Sequence, residues 1–478
     1  MALMLSTSLV AIDSTIIATA VPSIVTSIGG FSEFAWLFSI YLLAQAVSVP
    51  LYGKLADLFG RKPLILFGIG LFLLGSILCG LAWSMPALIA FRAVQGLGAG
   101  AVQPISMTIV GDLYSVEERS RVQGYLASVW GIASVVGPAL GGVFSEYVSW
   151  RWIFFINIPL CVMAAVMLLR HFSERIERRH PRIDYRGATL LTTGCTLLIL
   201  AVLEGGQSWA WVSAPEILIA GCGALLIAGF IVVERRVAEP ILPLWVFSRR
   251  VLLTSSLISA AVGAIVLGLT SYIPTYVQDV LGTGPVVAGF ALATLTLGWP
   301  VSASQAGRLY LRYGFRTCAL IGAVATVIGS LLLILLNSTS SVWQVAGTCF
   351  IIGLGMGLVA APTMIAAQST VGWGERGVVT GNNMFCRSLG SALGVAAFGA
   401  LANATIGPSG TSGNFTRSAL TTATQHVFLA VAALSVVMAV IVILMPKSVD
   451  LAESSAPADT PVPVEPSVPV GEPATEQA

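Results

Sequence analysis

Apolar positions in this chain do not alternate with polar ones; they run on. Stretches of roughly 17–25 predominantly apolar residues, the length a helix needs to cross a bilayer, recur near 1–27, 36–56, 63–83, 86–111, 121–145, 152–169, 187–204, 215–234, 252–278, 285–306, 317–336, 342–370, 378–402 and 425–446. The pattern predicts fourteen membrane-spanning helices joined by short polar segments. The first stretch begins at Met1 without a Lys or Arg, so it lacks the basic flank of a secretory signal. It carries Asp13 at its centre and is read as a retained helix. The segment 447–478 breaks the pattern, with six prolines, six acidic residues and no aromatic residue. It cannot bury a core and is expected to be a disordered tail.

Composition agrees. Of 478 residues, 56% are hydrophobic and 10% charged, whereas a soluble domain carries roughly 25% charge. That excludes a soluble enzyme, a secreted disulfide protein and a disordered scaffold. Seven cysteines, all widely separated within apolar stretches, form neither a disulfide nor a zinc pattern. The total charge of +2 says little; its placement says more. With the N-terminus inside, twenty Lys and Arg fall in cytoplasmic segments, including Lys54, Arg61, Lys62, Arg119, Arg121 and the basic run from Arg170 to Arg186. Only Arg151 and Arg417 fall outside, and Arg92 and Arg387 lie within spans. This positive-inside asymmetry puts both termini in the cytoplasm and supports an even number of spans. Three glycosylation tripeptides (Asn337, Asn403, Asn414) fall in outer loops, a pattern common by chance.

Two parts of the chain repeat at a shift of about 255 residues. GKLADLFGRK (53–62) returns as GRLYLRYGFR (307–316), EERSRVQG (117–124) as GERGVVTG (374–381), and GLGAGAVQP (96–104) as GLGMGLVAAP (353–362). Spans 1–6 thus match spans 9–14, with spans 7 and 8 inserted between them. The expected divisions are 1–170, 171–250, 251–446 and the tail 447–478. Parallel six-helix halves that handle a substrate between them describe a secondary transporter.

A charge within a span costs about 2.5–3.5 kcal/mol and marks a functional candidate. Asp13 lies mid-span. Arg92 begins a polar face continued by Gln95, Ala99 and Gln103, and Arg387 shares a face with Asn383, Gly390, Ser391 and Gly394. A buried carboxyl favours its protonated form, so protonation of Asp13 would follow the side to which a cavity opens, with Arg92 modulating it. Gly53 and Gly60 permit a tight turn. Asp57, Arg61 and Lys62 can form charge-assisted pairs there, with Asp112, Arg119 and Arg121 as partners. Gly137 and Pro138 with Gly141 and Gly142 would let span 5 bend and approach its neighbours. No phosphate loop, metal motif or catalytic constellation occurs, and His171, His180 and His426 sit at edges or in loops. An enzyme is therefore not expected, nor a metal or cofactor, nor a nucleic-acid partner.

Four motifs give the chain a family likeness: IDSTIIATAVP (12–22), GKLADLFGRKP (53–63), RAVQGLGAG (92–100) and GPALGG (137–142). Up to about residue 446 the sequence resembles the fourteen-helix drug:proton antiporters of the major facilitator superfamily, multidrug-resistance exporters. The resemblance implies an all-α integral membrane protein of 6+2+6 helices with two pseudo-symmetric halves. It implies a multi-pass protein of the plasma membrane, acting as a monomer on a small-molecule substrate and protons. Within it, Asp13 and Arg92 would couple protons. Gly53, Asp57, Gly60, Arg61, Lys62, Asp112, Arg119 and Arg121 would latch the cytoplasmic face in the outward-open state. Gly137, Pro138, Gly141 and Gly142 would form the antiporter motif. Gln45, Gln95, Trp130, Asn382, Asn383 and Arg387 are expected contacts in a cavity lined by helices 1, 2, 4 and 5 and their repeats. The chain departs from the pattern too. Leu311 replaces the Asp of the second loop copy, and spans 10 and 13 carry no acidic residue. A neutral, monocationic or anionic substrate is thus favoured over a dication. A dedicated exporter of one metabolite is the alternative within the fold; a non-transporting sensor or scaffold is a third.

Overall fold

The computed structural model of the chain describes residues 1–29, 36–174, 184–205, 209, 212–237, 240, 242–406 and 417–447. The basic-loop residues Arg175, Arg178, Arg179, Arg182 and His180, the tripeptide at Asn414 and the tail from 448 lie outside the described residues, as do the side chains of Pro138, Asn403 and Arg417.

The long apolar runs become α1 (Ala2–Ile28), α2 (Trp36–Phe59), α3 (Arg61–Gly80), α4 (Met85–Leu113), α5 (Val116–Tyr147), α6 (Asn157–His171), α7 (Tyr185–Glu204), α8 (Ala214–Glu234), α9 (Arg250–Thr275), α10 (Pro285–Tyr313), α11 (Phe315–Ile334), α12 (Val342–Ser369), α13 (Arg376–Ile406) and α14 (Arg417–Leu444). Among the described residues, thirteen segments are long and apolar enough to cross a membrane; α1, whose pieces Ala2–Ile17 and Thr19–Ile28 meet at 51°, makes fourteen. The bend has a chemical cause. Pro22 has no N–H for the carbonyl four residues back, at Ala18, where the axis turns.

Packing follows the repeat. In the first six helices α3 and α2 lie against α4, α1 lies against α5, and α3 touches α6. In the last six, α11 and α10 lie against α12, α9 against α13, and α11 against α14. The two sets meet through α2 with α13 and α5 with α10, pairs that exchange under the same shift. The inserted α7 and α8 pack on each other, and α7 reaches α2 and α13.

Two glycines show why the repeat needs its small residues. Gly60 joins α2 to α3 at φ 93°, and its counterpart Gly314 joins α10 to α11 at φ 84°, a backbone region that side chains disfavour. Gly53, by contrast, makes no turn. It lies inside α2, where an added Cβ would sit 2.6 Å from the carbonyl oxygen of Gly377 in α13. Its absent side chain permits helix contact rather than chain reversal.

α5 runs as one helix of 32 residues through the Gly137–Pro138 pair, and two glycines of the motif bring it close to α1. A Cβ on Gly137 would overlap Thr15 Oγ1, and one on Gly141 would overlap the Ile16 carbonyl oxygen, both in α1. Gly142 meets nothing within 4 Å and takes no part in the contact. Gly141→Ala should therefore destabilise the protein by about 1–3 kcal/mol through overpacking, while Gly142→Ala should leave stability unchanged or slightly improved. Thermal unfolding of the two variants in detergent checks this; equal melting temperatures would contradict the packing assignment.

Candidate functional site

Three polar assemblies interrupt the apolar interior. The first surrounds Asp13. Its carboxylate and the Arg92 guanidinium are each 1% exposed, with Arg92 Nη1 donating to Asp13 Oδ2 at 2.6 Å. Gln95, one turn along α4 from Arg92, donates from Nε2 to Asp13 Oδ1 at 2.7 Å and to Ser76 Oγ at 2.7 Å. Its Oε1 accepts from Arg92 Nη1 at 2.8 Å. Asn157 Nδ2 reaches Ser76 Oγ at 2.9 Å and Asp13 Oδ1 at 3.3 Å. Arg92 Nε donates to the Leu37 carbonyl at 3.2 Å, and the guanidinium stacks 4.1 Å from the centre of the Tyr41 ring. Five helices, α1, α2, α3, α4 and α6, thus meet on one carboxylate–guanidinium pair. Each charge has what a buried ion requires, an opposite charge and neutral hydrogen-bond partners. Two atoms, Tyr41 Oη and Asn157 Oδ1, have no hydrogen-bond partner among the described residues, so the network retains unused polar capacity beside Asp13. Ser76, Asn157 and Tyr41 were not expected here. As single polar residues in apolar runs, they gave no signal without the third dimension.

The second assembly closes the side that carries the α2–α3 turn. Arg61 is fully buried. It donates from Nη2 to Asp57 Oδ1 at 2.9 Å and to the Trp373 carbonyl at 2.5 Å, and from Nε to Asp112 Oδ2 at 3.0 Å. Its guanidinium lies 3.7 Å from the Trp373 ring centre. Asp57 also accepts from the backbone N–H groups of Gly377 at 2.9 Å and Val378 at 2.8 Å. It thereby caps the start of α13, where free N–H groups and the helix dipole favour a negative charge. Asp112 accepts from Arg376 Nη1 at 3.1 Å. Asp112 thus pairs with Arg61 and with Arg376, whereas neither Arg119 nor Arg121, the other two expected partners of the 53–62 segment, pairs with Asp57. Arg119 is buried and serves the end of α4 instead, donating to the Gly111 carbonyl at 2.5 Å and to Ser369 Oγ at 3.1 Å. Arg121 is exposed and makes no hydrogen bond or ion pair among the described residues. Lys62 also corrects the expected cluster. Its Nζ donates to the Leu169 carbonyl at 3.1 Å and makes no ion pair among the described residues. Glu174, unforeseen, accepts the backbone N–H groups of Arg61 at 3.0 Å and Lys62 at 2.9 Å. Arg376 was legible after the fact, because it occupies the repeat position of Arg119.

The third assembly is a central cavity of about 180 Å³ between the two sets of helices. Its wall comes from α4, α5, α9, α10, α12 and α13; α1 and α2, which were expected to contribute, supply no lining residue. Trp130, Asn383 and Arg387 lie on the wall, joined by Gln103, Gln123 and Trp299. Gln45, Gln95 and Asn382 do not line it. Gln45 stands behind the wall, donating to Gln103 Oε1 at 3.1 Å, Gln95 belongs to the Asp13 network, and Asn382 bonds Ser256 Oγ at 2.7 Å. Helical register explains this: residues one apart, such as Asn382 and Asn383, face different neighbours.

The Asp13–Arg92 pair predicts strong energetic coupling. Removing one partner leaves the other charged and buried, so Asp13→Asn or Arg92→Gln alone should cost about 3–5 kcal/mol. The double variant should cost clearly less than the sum. Detergent unfolding of the four proteins checks this; additive losses would mean the two groups do not interact.

Compared with known proteins, residues 3–395 match the Major Facilitator Superfamily. The chain is 37% identical over 399 residues to "Multidrug resistance protein 3" of Bacillus subtilis, covering 83% of this chain and 78% of that one. It is 34% identical over 397 residues to "Multidrug transporter protein MdtP" of the same organism, covering 83% and 73%. The solved structure of the human organic anion transporter MFSD10 superposes with a TM-score of 0.67 over 92% of this chain and 98% of that one, at 15% identity, a likeness of fold alone. The repeated helix packing and the sequence matches agree: this multi-pass membrane protein belongs to the Major Facilitator Superfamily, a family of transporters rather than enzymes.

Proposed function

We propose that the protein exports amphipathic small molecules, such as drugs, antiseptics or toxic metabolites, across the plasma membrane in exchange for protons, by alternating access. The carrying observation is the Asp13–Arg92 pair, an ionisable carboxylate held mid-span at the junction of five helices. A carboxylate in such a place is expensive to maintain and is a functional candidate by default. The relatives named as multidrug resistance and multidrug transporter proteins support export of small molecules.

The geometry supports a sequence of events. With the α2–α3 side cytoplasmic, as the placement of Lys and Arg indicates, the Asp57–Arg61–Asp112–Arg376 assembly holds the two halves together on the inner face. Protonation of Asp13 would remove the charge that Arg92 and Gln95 address and release helices from the network. α1 would then move against α5 through the close contact at Gly137 and Gly141. The cavity would next open inward once Asp57 leaves the start of α13. In this reading residues 1–170 and 251–446 are the rocking halves, α7 and α8 ride between them, both termini are cytoplasmic, and the monomer suffices.

Two experiments test the reading. Purified protein in proteoliposomes with an imposed pH gradient should drive flux of several amphipathic dyes. Asp13→Asn should abolish the gradient-driven component while keeping dye-for-dye exchange. Gradient-driven flux unchanged in Asp13→Asn would sink proton coupling at this residue. For the latch, Asp57→Ala should raise the rate at which a cysteine at Met364, introduced into a cysteine-free background, is labelled from the cytoplasmic side by at least severalfold. An unchanged rate would mean that the assembly does not gate the cavity.

A further inference from the structure

We propose that the central cavity selects organic anions, specifically a compact aromatic body bearing a carboxylate or sulfonate that Arg387 receives. The inference deepens the exporter reading and rests on it for transport, but not for binding.

Arg387 projects from α13 onto the cavity wall, half-buried, with its guanidinium 5.7 Å from the centre of the Trp299 ring. The two arginines within spans differ sharply. Arg92 is saturated by Asp13, Gln95 and the Leu37 carbonyl. Arg387 makes no hydrogen bond and no ion pair among the described residues. Its charge therefore lacks the partner that a cation at membrane depth requires, and its forked donors are shaped for a carboxylate or a similar oxyanion.

No acidic group is placed to answer it. No Asp or Glu lines the cavity, and the sequences of α9, α10, α12 and α13 contain none. On α4, Asp112 sits at the closed face with Arg61 and Arg376. On α5, Glu117, Glu118 and Glu146 stand at the helix ends. Asp13 is engaged by Arg92.

The remaining wall chemistry points the same way. Gln123 is 8% exposed, lines the cavity, and its Nε2 has no hydrogen-bond partner. Two carboxamide oxygens on the wall are engaged. Gln103 Oε1 accepts from Gln45 at 3.1 Å, and Asn383 Oδ1 accepts from Ser259 Oγ at 2.8 Å. The wall thus carries an unpaired guanidinium and an unpaired carboxamide N–H₂ together with the indoles of Trp130 and Trp299. Donors and positive charge fit an anion; the indoles fit an apolar ring. A volume of about 180 Å³ lies below the roughly 300–1,000 Å³ of drug-sized pockets, so the ligand body is compact.

A matched pair of probes tests this by isothermal titration of the purified full-length protein: naphthalene-1-sulfonate and the trimethyl-(1-naphthyl)ammonium cation. The wild type is expected to bind the sulfonate at least tenfold more tightly than the ammonium. Arg387→Met should weaken sulfonate binding about 10–100-fold, the size of a lost charge-assisted hydrogen bond, without weakening the ammonium. Arg387→Lys should recover part of the loss. Gln123→Leu, which removes a buried unpaired donor, should fold normally and weaken the sulfonate severalfold. Tighter or equal binding of the ammonium, no sulfonate binding, or sulfonate affinity unchanged in all three variants would overturn the proposal; if Arg387→Met does not fold, the other two decide. Titration needs no gradient. Sulfonate binding without pH-driven flux of any dye would therefore overturn the exporter reading and leave this site standing. Flux of cationic dyes alone, with ammonium bound more tightly, would do the reverse.

Discussion

The hydrocarbon core of a bilayer has no water to solvate a charge, and the Asp13–Arg92 pair is arranged under that constraint. Asp13 and Arg92 are affordable only together, and only because Gln95, Ser76, Asn157 and the Leu37 carbonyl complete their hydrogen bonds. The same network makes one carboxylate the meeting point of α1, α2, α3, α4 and α6. A change in its charge is felt by all five helices at once, because none can satisfy its polar groups alone. Packing around it is close. With Gly137 and Gly141 against α1, a side chain at either position would collide with that helix.

The closed face uses a different device. There the halves are held by a carboxylate set on the first backbone N–H groups of a helix from the other half. Arg61 in turn bridges Asp57 and Asp112 beneath the Trp373 ring. The approach needs backbone contact, since Gly53 and Gly377 each leave no room for a side chain on the other. Charges and glycines are one mechanism here. The glycines bring α2 to the start of α13, and only at that distance does Asp57 act as its cap. The second loop copy has Leu311 where an acid would stand, so the charged form of the contact is confined to one side of the pseudo-symmetry.

Between these two assemblies the cavity wall is chemically one-sided. Its arginine and its buried glutamine amide N–H₂ are unpaired, while the Gln103 and Asn383 oxygens each accept a hydrogen bond. A transporter gains specificity in this way without many contacts. Leaving donors unsatisfied in an apolar enclosure favours the ligand that completes them and penalises one that does not.

The number and order of the helices could be read directly from the chain, because a span must be apolar along its whole length and each loop must carry its charges outside it. The duplication was legible for a related reason: Gly60 and Gly314 require a positive φ, and no other residue type serves there without cost. Asp13, Arg92 and the 53–62 segment stood out because charge in a span or a tight turn is rare. What the linear order could not supply was partnership. Arg119 and Arg121 do not pair with Asp57, and Arg376 from the other set of helices joins Asp112 beside Arg61. Gln95 proved to belong to the Asp13–Arg92 network and not to the cavity, Gly53 to a helix contact and not to a turn. Glu174, Ser76, Asn157 and Gln123 carried no mark at all. The physical reason is the same in each case. Hydropathy is a property of a segment and survives in one dimension, whereas a hydrogen bond at 2.6–3.3 Å depends on which faces of two distant helices are turned together, and only the folded bundle decides that.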